Sequence, residues 1–370
     1  MRVLFSGGGT GGHLVPGLEL ARLMLARGHT VSLVRAGRAV ERSFLDGVEG
    51  LRVDTIQMNA SGLRLPLALS RSMGKARRLL DELRPDVVVG LGGSGSLPSV
   101  LAARTRRLPI ALLEQNVKPG KANRFAARFA HRVCTGFPEA AKAMPARKAI
   151  CTGMPLRRGL GRPEDAGVLA RFGIDRSLTI VLVVGGSQGA QALNVHVPRL
   201  LAQLDRATRE GIAVVHLAGA GKERQTSAAY AALGLPAHVL PFGRDMPSLY
   251  SVADVVICRG GATTLTEVAA SGCCAVSVPY PWHRDRHQLH NAMWFEQRGA
   301  GRVLEQRVLE VGEARTVIEP LLKDPDLRRA MAKRARASVP TDGAARILGE
   351  LTGLTCRPEA AAPSRVQAVR

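Results

Sequence analysis

Acidic residues are scarce in this chain: 30 Asp and Glu stand against 52 Lys and Arg in 370 residues, a formal net charge of +22. Such an excess draws a protein toward nucleic acid, an anionic membrane surface or a phosphorylated substrate. Aromatic residues are scarcer still, at 4%. Stacking platforms for single-stranded nucleic acid are therefore poorly supplied, and no finger, homeodomain or RNA-recognition signature appears, so nucleic acid drops out of the three. Metal-binding or redox cysteine pairs are missing as well. Cys134, Cys151, Cys258, Cys273, Cys274 and Cys356 contain no CxxC and sit mostly in apolar settings, where buried reduced thiols are expected. No apolar run approaches the roughly 18 to 20 residues of a spanning helix, and Met1 leads straight into a strand without a signal-like segment. The expectation is a cytoplasmic chain that touches a membrane without crossing it.

What is present is glycine in a particular place. Gly7-Gly8-Gly9-Thr10-Gly11-Gly12-His13 follows the apolar run to Phe5, and Gly185-Gly186-Ser187-Gln188-Gly189 follows Thr179–Val184. A strand that feeds glycines into a helix start aims backbone N–H groups and the positive end of the helix dipole at one spot, where phosphate is held. Two such units in opposite halves predict two Rossmann-like doubly wound α/β domains facing a cleft. The strand rhythm agrees. Runs at Arg2–Phe5, Thr30–Val34, Val87–Leu91, Ile110–Leu113 and His131–Thr135 are followed by Thr179–Val184, Ala213–Ala218, Ala237–Leu240, Val255–Cys258 and Ala275–Val278. Gly153 and Pro155 break the pattern, so the predicted domains are 1–155 and 156–353. The sequence from Arg328 reads as helix up to about Leu351, with a tail-like 354–370.

Gly7, Gly9 and Gly12 also satisfy GxGxxG, but the second predicted strand ends at Arg35 where a nicotinamide dinucleotide needs a carboxylate for its ribose. A better nucleotide site is Arg259-Gly260-Gly261-Ala262-Thr263-Thr264-Leu265-Thr266-Glu267, another strand, glycine turn and helix. Glu267 is placed to take ribose hydroxyls there, although Thr264 and Glu267 also have the spacing of a helix capping box. Ser187 and the N–H groups of Gln188 and Gly189 would cradle a diphosphate. His13, at the end of the first glycine loop, is the leading candidate for a general base of near-neutral pKa, with Glu114 as runner-up. No metal-ligand spacing is evident and no cofactor is expected.

The segments GGGTGGH at 7–13, EQNVKPGKAN at 114–123, TGMPLR at 152–157, GGSQGAQALN at 185–194, CRGGATTLTE at 258–267 and DRHQLHNA at 285–292 resemble the MurG family. Its members are UDP-N-acetylglucosamine–N-acetylmuramyl-(pentapeptide) pyrophosphoryl-undecaprenol N-acetylglucosamine transferases. The resemblance runs in order from residue 7 to about residue 300. It implies a GT-B fold with lipid I on the first domain and UDP-GlcNAc on the second, and an inverting transfer that makes lipid II for peptidoglycan, hence a role in cell-wall biogenesis, shape and division. It implies donor contacts at Thr10, Gly11, Gly12, Asn116, Arg157, Ser187, Ala262, Thr263, Thr264, Leu265, Thr266, Glu267 and Gln288. The substrate-facing set extends to Asn123, Gln188, Gly189, Asn194, Arg259 and Asn291 within the same motifs, and to Gly243 outside them. Three positions depart from the family's pattern: Leu113, Ser94 and Gly243, the last with room for looser packing of the base. A related transferase with another lipid acceptor, a UDP-GlcNAc 2-epimerase and a non-catalytic UDP-sugar sensor are the alternatives. Leu63-Arg64-Leu65-Pro66-Leu67-Ala68-Leu69, followed by Arg71, Lys75, Arg77 and Arg78, reads either as a peripheral docking patch for the anionic inner leaflet or as a loop and helix packed into the first domain.

Overall fold

The computed structural model describes all residues except 10, 39–40, 46–47, 58–64 and 356–370. Its framework is two parallel sheets. The first contains β1 (Arg2–Ser6), β2 (Thr30–Arg35), β3 (Arg52–Thr55), β4 (Val87–Gly90), β5 (Ile110–Glu114), β6 (Arg132–Thr135) and β7 (Ala149–Cys151), in the order β3-β2-β1-β4-β5-β6-β7. The second contains β8 (Thr179–Val184), β9 (Ile212–Leu217), β10 (His238–Leu240), β11 (Val255–Cys258), β12 (Cys274–Ser277) and β13 (Arg302–Val303), in the order β10-β9-β8-β11-β12-β13.

Central strands such as β4, β5 and β9 are buried along their whole length, which is why they read as unbroken apolar runs rather than alternating ones. Helices cover both faces of each sheet and close separate cores above and below it. In each sheet the strand order reverses once, between β1 and β4 and between β8 and β11. At such a switch point the loops leave the strand ends in opposite directions and open a crevice. Both glycine turns predicted to bind phosphate lie at these openings.

The sequence missed β3, β7 and β13. Each is an edge strand of two to four residues, and Arg-Val-Asp-Thr of β3 is mostly exposed, so no apolar run announces them. The single helix expected from Arg328 is two, Pro325–Ser338 and Gly343–Thr355, separated around Pro340, which cannot continue a helix. The second of these extends past the expected end of order at 353. It crosses back to the first sheet, where Ile347, Leu348 and Leu351 pack with Leu14, Leu18 and Leu91, and Glu350 pairs with Arg132 at 2.7 Å.

The sheets are also joined at their edges. Phe137 and Ala140, next to β6, pack in the core of the second half with Trp294 and Phe295, and Glu139 accepts from Trp294 Nε1 and Arg298. Five cysteines are free among the described residues, and burial pushes the thiols of Cys134, Cys258, Cys273 and Cys274 up to about 12.

The interior of the second half holds a histidine. His216 is fully buried, with Asn194 on one ring nitrogen and the Tyr230 hydroxyl on the other, each at 3.0 Å. Burial lowers the His216 pKa from 6.5 to about 4. The unfolded chain takes up a proton below pH 6.5 that the folded chain refuses, so this group's contribution is complete above pH 6.5 and drains as pH falls toward 4. Urea unfolding between pH 7.5 and 4 is expected to show a loss of about 3 kcal/mol from this source, reduced in His216→Gln.

Candidate active site

The first and third glycine turns meet across the cleft. Helix Gly11–Ala26 starts after the turn that follows β1, and helix Ala262–Ser271 starts after Gly260-Gly261 at the end of β11. The Thr263 hydroxyl donates to the Gly12 carbonyl at 2.9 Å. Gly260 has no room for a side chain, since a Cβ would lie 2.3 Å from the Gln288 carbonyl oxygen. The cap of helix Ala262–Ser271 is Gly261, with no side-chain hydrogen bond, which removes Thr264 and Glu267 as a capping box. The N–H groups of Ala262, Thr263 and Thr264 therefore open the helix without a side-chain acceptor of that kind.

Glu267 turns to Arg157. The Arg157 Nη1 donates to Oε1 at 2.6 Å and Oε2 at 2.5 Å, and the Tyr250 hydroxyl adds a further bond. The carboxylate is 2% exposed, and burial pushes its pKa up to about 7 while Arg157 pulls against it. A Glu267 carboxylate held open for ribose hydroxyls does not match this arrangement, in which it and Arg157 are each other's partner. Bound donor would have to share or open the pair.

Glu114, at the end of β5, has no spare capacity for proton transfer. It accepts from Asn116 N–H at 2.9 Å, Asn116 Nδ2 at 3.2 Å, Gly120 N–H at 3.0 Å and Asn123 Nδ2 at 2.9 Å. Burial raises its pKa and these donors oppose the rise. Its place is structural: it folds the loop that carries Asn116. Asn123 also donates to the Leu113 carbonyl, so its amide belongs to the same knot. Asn291 completes the bridge between the halves. Its Oδ1 accepts from Val117 N–H at 2.9 Å and its Nδ2 donates to Asn116 Oδ1 and the Gly260 carbonyl, both at 3.1 Å. With no exposed surface, that amide is engaged by protein and not presented to a sugar.

His13 stands in the cleft as a neutral imidazole. Its ring packs on Gly92 after β4, where an added Cβ would lie 2.9 Å from Cδ2. Burial, then the charges of His287 and Arg38, lower its pKa to about 4. His287 comes from the second half; its Nδ1 lies 2.8 Å from Asp285 and its ring stacks on His283 with centroids 4.5 Å apart. Neither His287 nor Arg38 was singled out in the sequence, although His287 lies inside the DRHQLHNA motif.

The turn after β8 brings Ser187 and Gln188 to the surface at the start of helix Gln191–Ala202, whose cap Ala190 supplies no side-chain bond. Gly189 has φ +67°, and a Cβ there would fall 1.8 Å from the Ala218 carbonyl oxygen, so only glycine fits. Lys222 Nζ donates to the Gln188 carbonyl at 2.8 Å. Several expected ligand contacts are elsewhere. Asn194 donates to Ala218 and meets His216 in the interior. Arg259 donates to the Val278 carbonyl and Gln306 Oε1, with its guanidinium over Tyr280, where burial lowers its pKa. Leu265 is core, and the Thr266 hydroxyl donates to the Ala262 carbonyl within its own helix. Gly243 leaves no slack: Met246, Leu249 and Leu217 stand within 3.2 Å of where its Cβ would be. Gln288 remains at the cleft, its Oε1 accepting from Tyr280 N–H at 2.9 Å. Thr10 lies outside the described residues. No group of three or more His, Cys, Asp or Glu suited to a metal occurs among the described residues.

Comparison with known proteins fits this geometry. Residues 3–135 match the glycosyltransferase family 28 N-terminal domain and residues 180–347 the family 28 C-terminal domain. The chain is 38% identical over 344 residues to the UDP-N-acetylglucosamine–N-acetylmuramyl-(pentapeptide) pyrophosphoryl-undecaprenol N-acetylglucosamine transferase of Pseudomonas paraeruginosa, covering 90% of this chain and 93% of that protein. It belongs to the MurG family. The Halorhodospira halophila protein of the same name is 39% identical, with 93% and 96% covered. The crystal structure of Acinetobacter baumannii MurG superposes with a TM-score of 0.76 at 31% identity, covering 95% of this chain and 99% of that one. A UDP-GlcNAc 2-epimerase from Neisseria meningitidis shares the fold, at 14% identity and a TM-score of 0.67 over 95% of this chain and 100% of that one. As a MurG-family glycosyltransferase, the chain relies on Asn291 to hold its halves in register. Asn291→Ala strands the Val117 N–H and is expected to cost about 1 to 3 kcal/mol, read as a lower unfolding midpoint.

Proposed function

We propose that this protein transfers GlcNAc from UDP-GlcNAc to the C4 hydroxyl of the N-acetylmuramyl unit of lipid I, giving lipid II and UDP. The observation that carries the reading is His13: a neutral imidazole in a cleft where helix starts from both halves converge. The first sheet would hold the acceptor and the second the donor. The starts of helices Gln191–Ala202 and Ala262–Ser271 would face the donor diphosphate. Their N–H groups then stabilise the charge that grows on UDP as the glycosidic bond breaks, more in the transition state than before it. His13 takes the hydroxyl proton as that oxygen attacks the anomeric carbon from the face opposite UDP, which inverts the centre.

Membrane approach belongs to helix Leu65–Leu83. Leu67 is 57% exposed and Arg71, Lys75, Arg77 and Arg78 are exposed, whereas Ala76, Leu79 and Leu80 enter the core. The helix packs by one face and carries exposed apolar and basic groups on another; Leu63 and Arg64 lie outside the described residues. No described helix is long and apolar enough to cross a membrane. This supports peripheral docking on the cytoplasmic leaflet, where the lipid acceptor resides.

The direct test is transfer of labelled GlcNAc from UDP-GlcNAc to a short-chain lipid I analogue, with a disaccharide lipid as the expected product; tight donor binding without transfer would defeat the proposal. His13→Ala is expected to lower kcat by about 10² to 10⁴ with UDP affinity unchanged. Glu267→Ala is expected to raise the donor KM sharply, because it removes the buried partner that holds the half-buried Arg157 in place. A base must be unprotonated to act, so kcat/KM is expected to fall with acid only near the His13 pKa of about 4, well below the 6.5 of an ordinary histidine.

A further inference from the structure

One glycine turn is already occupied by the chain's own anion. Glu41 is fully buried; its Oε1 accepts the Gly9 N–H at 2.5 Å, and its Oε2 accepts those of Gly37 at 2.8 Å and Arg38 at 2.9 Å. Gly8 has φ +144°, and a Cβ there would lie 2.5 Å from Glu41 Oε1, so a side chain at residue 8 would evict the carboxylate. The Gly7 N–H is committed to the Val34 carbonyl at 3.0 Å. The turn after β1 therefore has the Gly7 and Gly9 N–H groups in use.

What Glu41 secures instead is the corner carrying Arg38. The exposed Arg38 lies over the turn, with guanidinium atoms 3.3 to 3.5 Å from where a Gly9 Cβ would be, and Nη1 donates to the Gly9 carbonyl at 3.1 Å. That carbonyl engages one of the five N–H donors that a guanidinium carries. Arg38 is also close enough to His13 for its charge to act on that ring. We infer that Arg38, set by Glu41 over the first glycine turn, is the residue that grips the diphosphate of the acceptor.

This inference rests on the transfer reaction proposed above. That reaction brings two diphosphates into one cleft, and the donor's is served by the helix starts of the second sheet. The acceptor's must be met from the first sheet, beside the base, where the Gly7 and Gly9 N–H groups are in use and a guanidinium fork is present. Arginine matches phosphate through paired N–H groups in a way a lone ammonium does not. An anion held there also offsets the Arg38 charge felt by His13 and makes the imidazole a stronger base when the acceptor hydroxyl is in place. Glu41 is a positioning residue: it touches no substrate and acts through Arg38.

The test compares steady-state transfer to a short-chain lipid I analogue with transfer to the same analogue bearing a single phosphate. In Arg38→Ala the acceptor KM is expected to rise about 10- to 100-fold on the diphosphate acceptor while the donor KM stays within about twofold. The effect shrinks on the monophosphate acceptor, and Arg38→Lys restores only part of it. Glu41→Gln, which keeps one acceptor oxygen, is expected to raise the acceptor KM less than Arg38→Ala without lowering kcat in proportion. An unchanged acceptor KM in Arg38→Ala, or equal rises in donor and acceptor KM, overturns the inference while wild-type transfer stands. A wild-type protein that fails to use the diphosphate acceptor overturns the transfer reading and this inference with it.

Discussion

The cleft is held by buried amide and carboxylate hydrogen bonds, and the rest of the site depends on them. Glu114 gathers four donors from Asn116, Gly120 and Asn123 and so fixes Asn116; Asn291 then ties Asn116, Val117 and Gly260 together from the opposite half. Buried polar groups are costly when unpaired, so such a network tolerates few alternative arrangements of the two halves. Its effect is to bring the starts of helices Gly11–Ala26 and Ala262–Ser271 within one hydrogen bond of each other. An apolar interface of the same size would stabilise the halves but leave their register less sharply defined.

Charge within the cleft follows from that closeness. The protein carries a large positive excess, yet the candidate base is neutral because burial, and then the neighbouring His287 and Arg38, disfavour its protonated form. Acidic groups nearby are consumed internally: Glu267 by Arg157, Glu41 by the first glycine turn, Glu114 by its loop. The field left for a ligand is therefore cationic, which suits a site that receives phosphorylated substrates. The engagement of its carboxylate by four donors makes Glu114, the second candidate base in the sequence, less suited to take a proton than His13.

Much of this was legible in the residues. Val87–Leu91 and Ile110–Leu113 could be read as central parallel strands because burial on both faces demands continuous apolar sequence. The glycine turns could be placed because a strand entering a helix there needs Gly at positions such as Gly189 and Gly260, where any Cβ collides with backbone. Motif order supplied the family. Edge strands β3, β7 and β13 were not legible, since half-exposed short strands impose no pattern.

Side-chain destination divides what the sequence determined from what the tertiary structure decided. Spacing along the chain is a local property, so it determined the two α/β halves, the glycine turns and the placing of His13 at a helix start. Whether Asn194 or Arg259 faces a ligand or the interior depends on partners 15 or more residues away, such as His216, Val278 and Gln306. The pairing of Arg157 with Glu267, the seating of Glu41 in the first turn and the crossing of Asn291 were likewise settled only when distant segments were folded together. A polar side chain goes where its desolvated hydrogen bonds can be met, and in this protein those partners come from elsewhere in the chain.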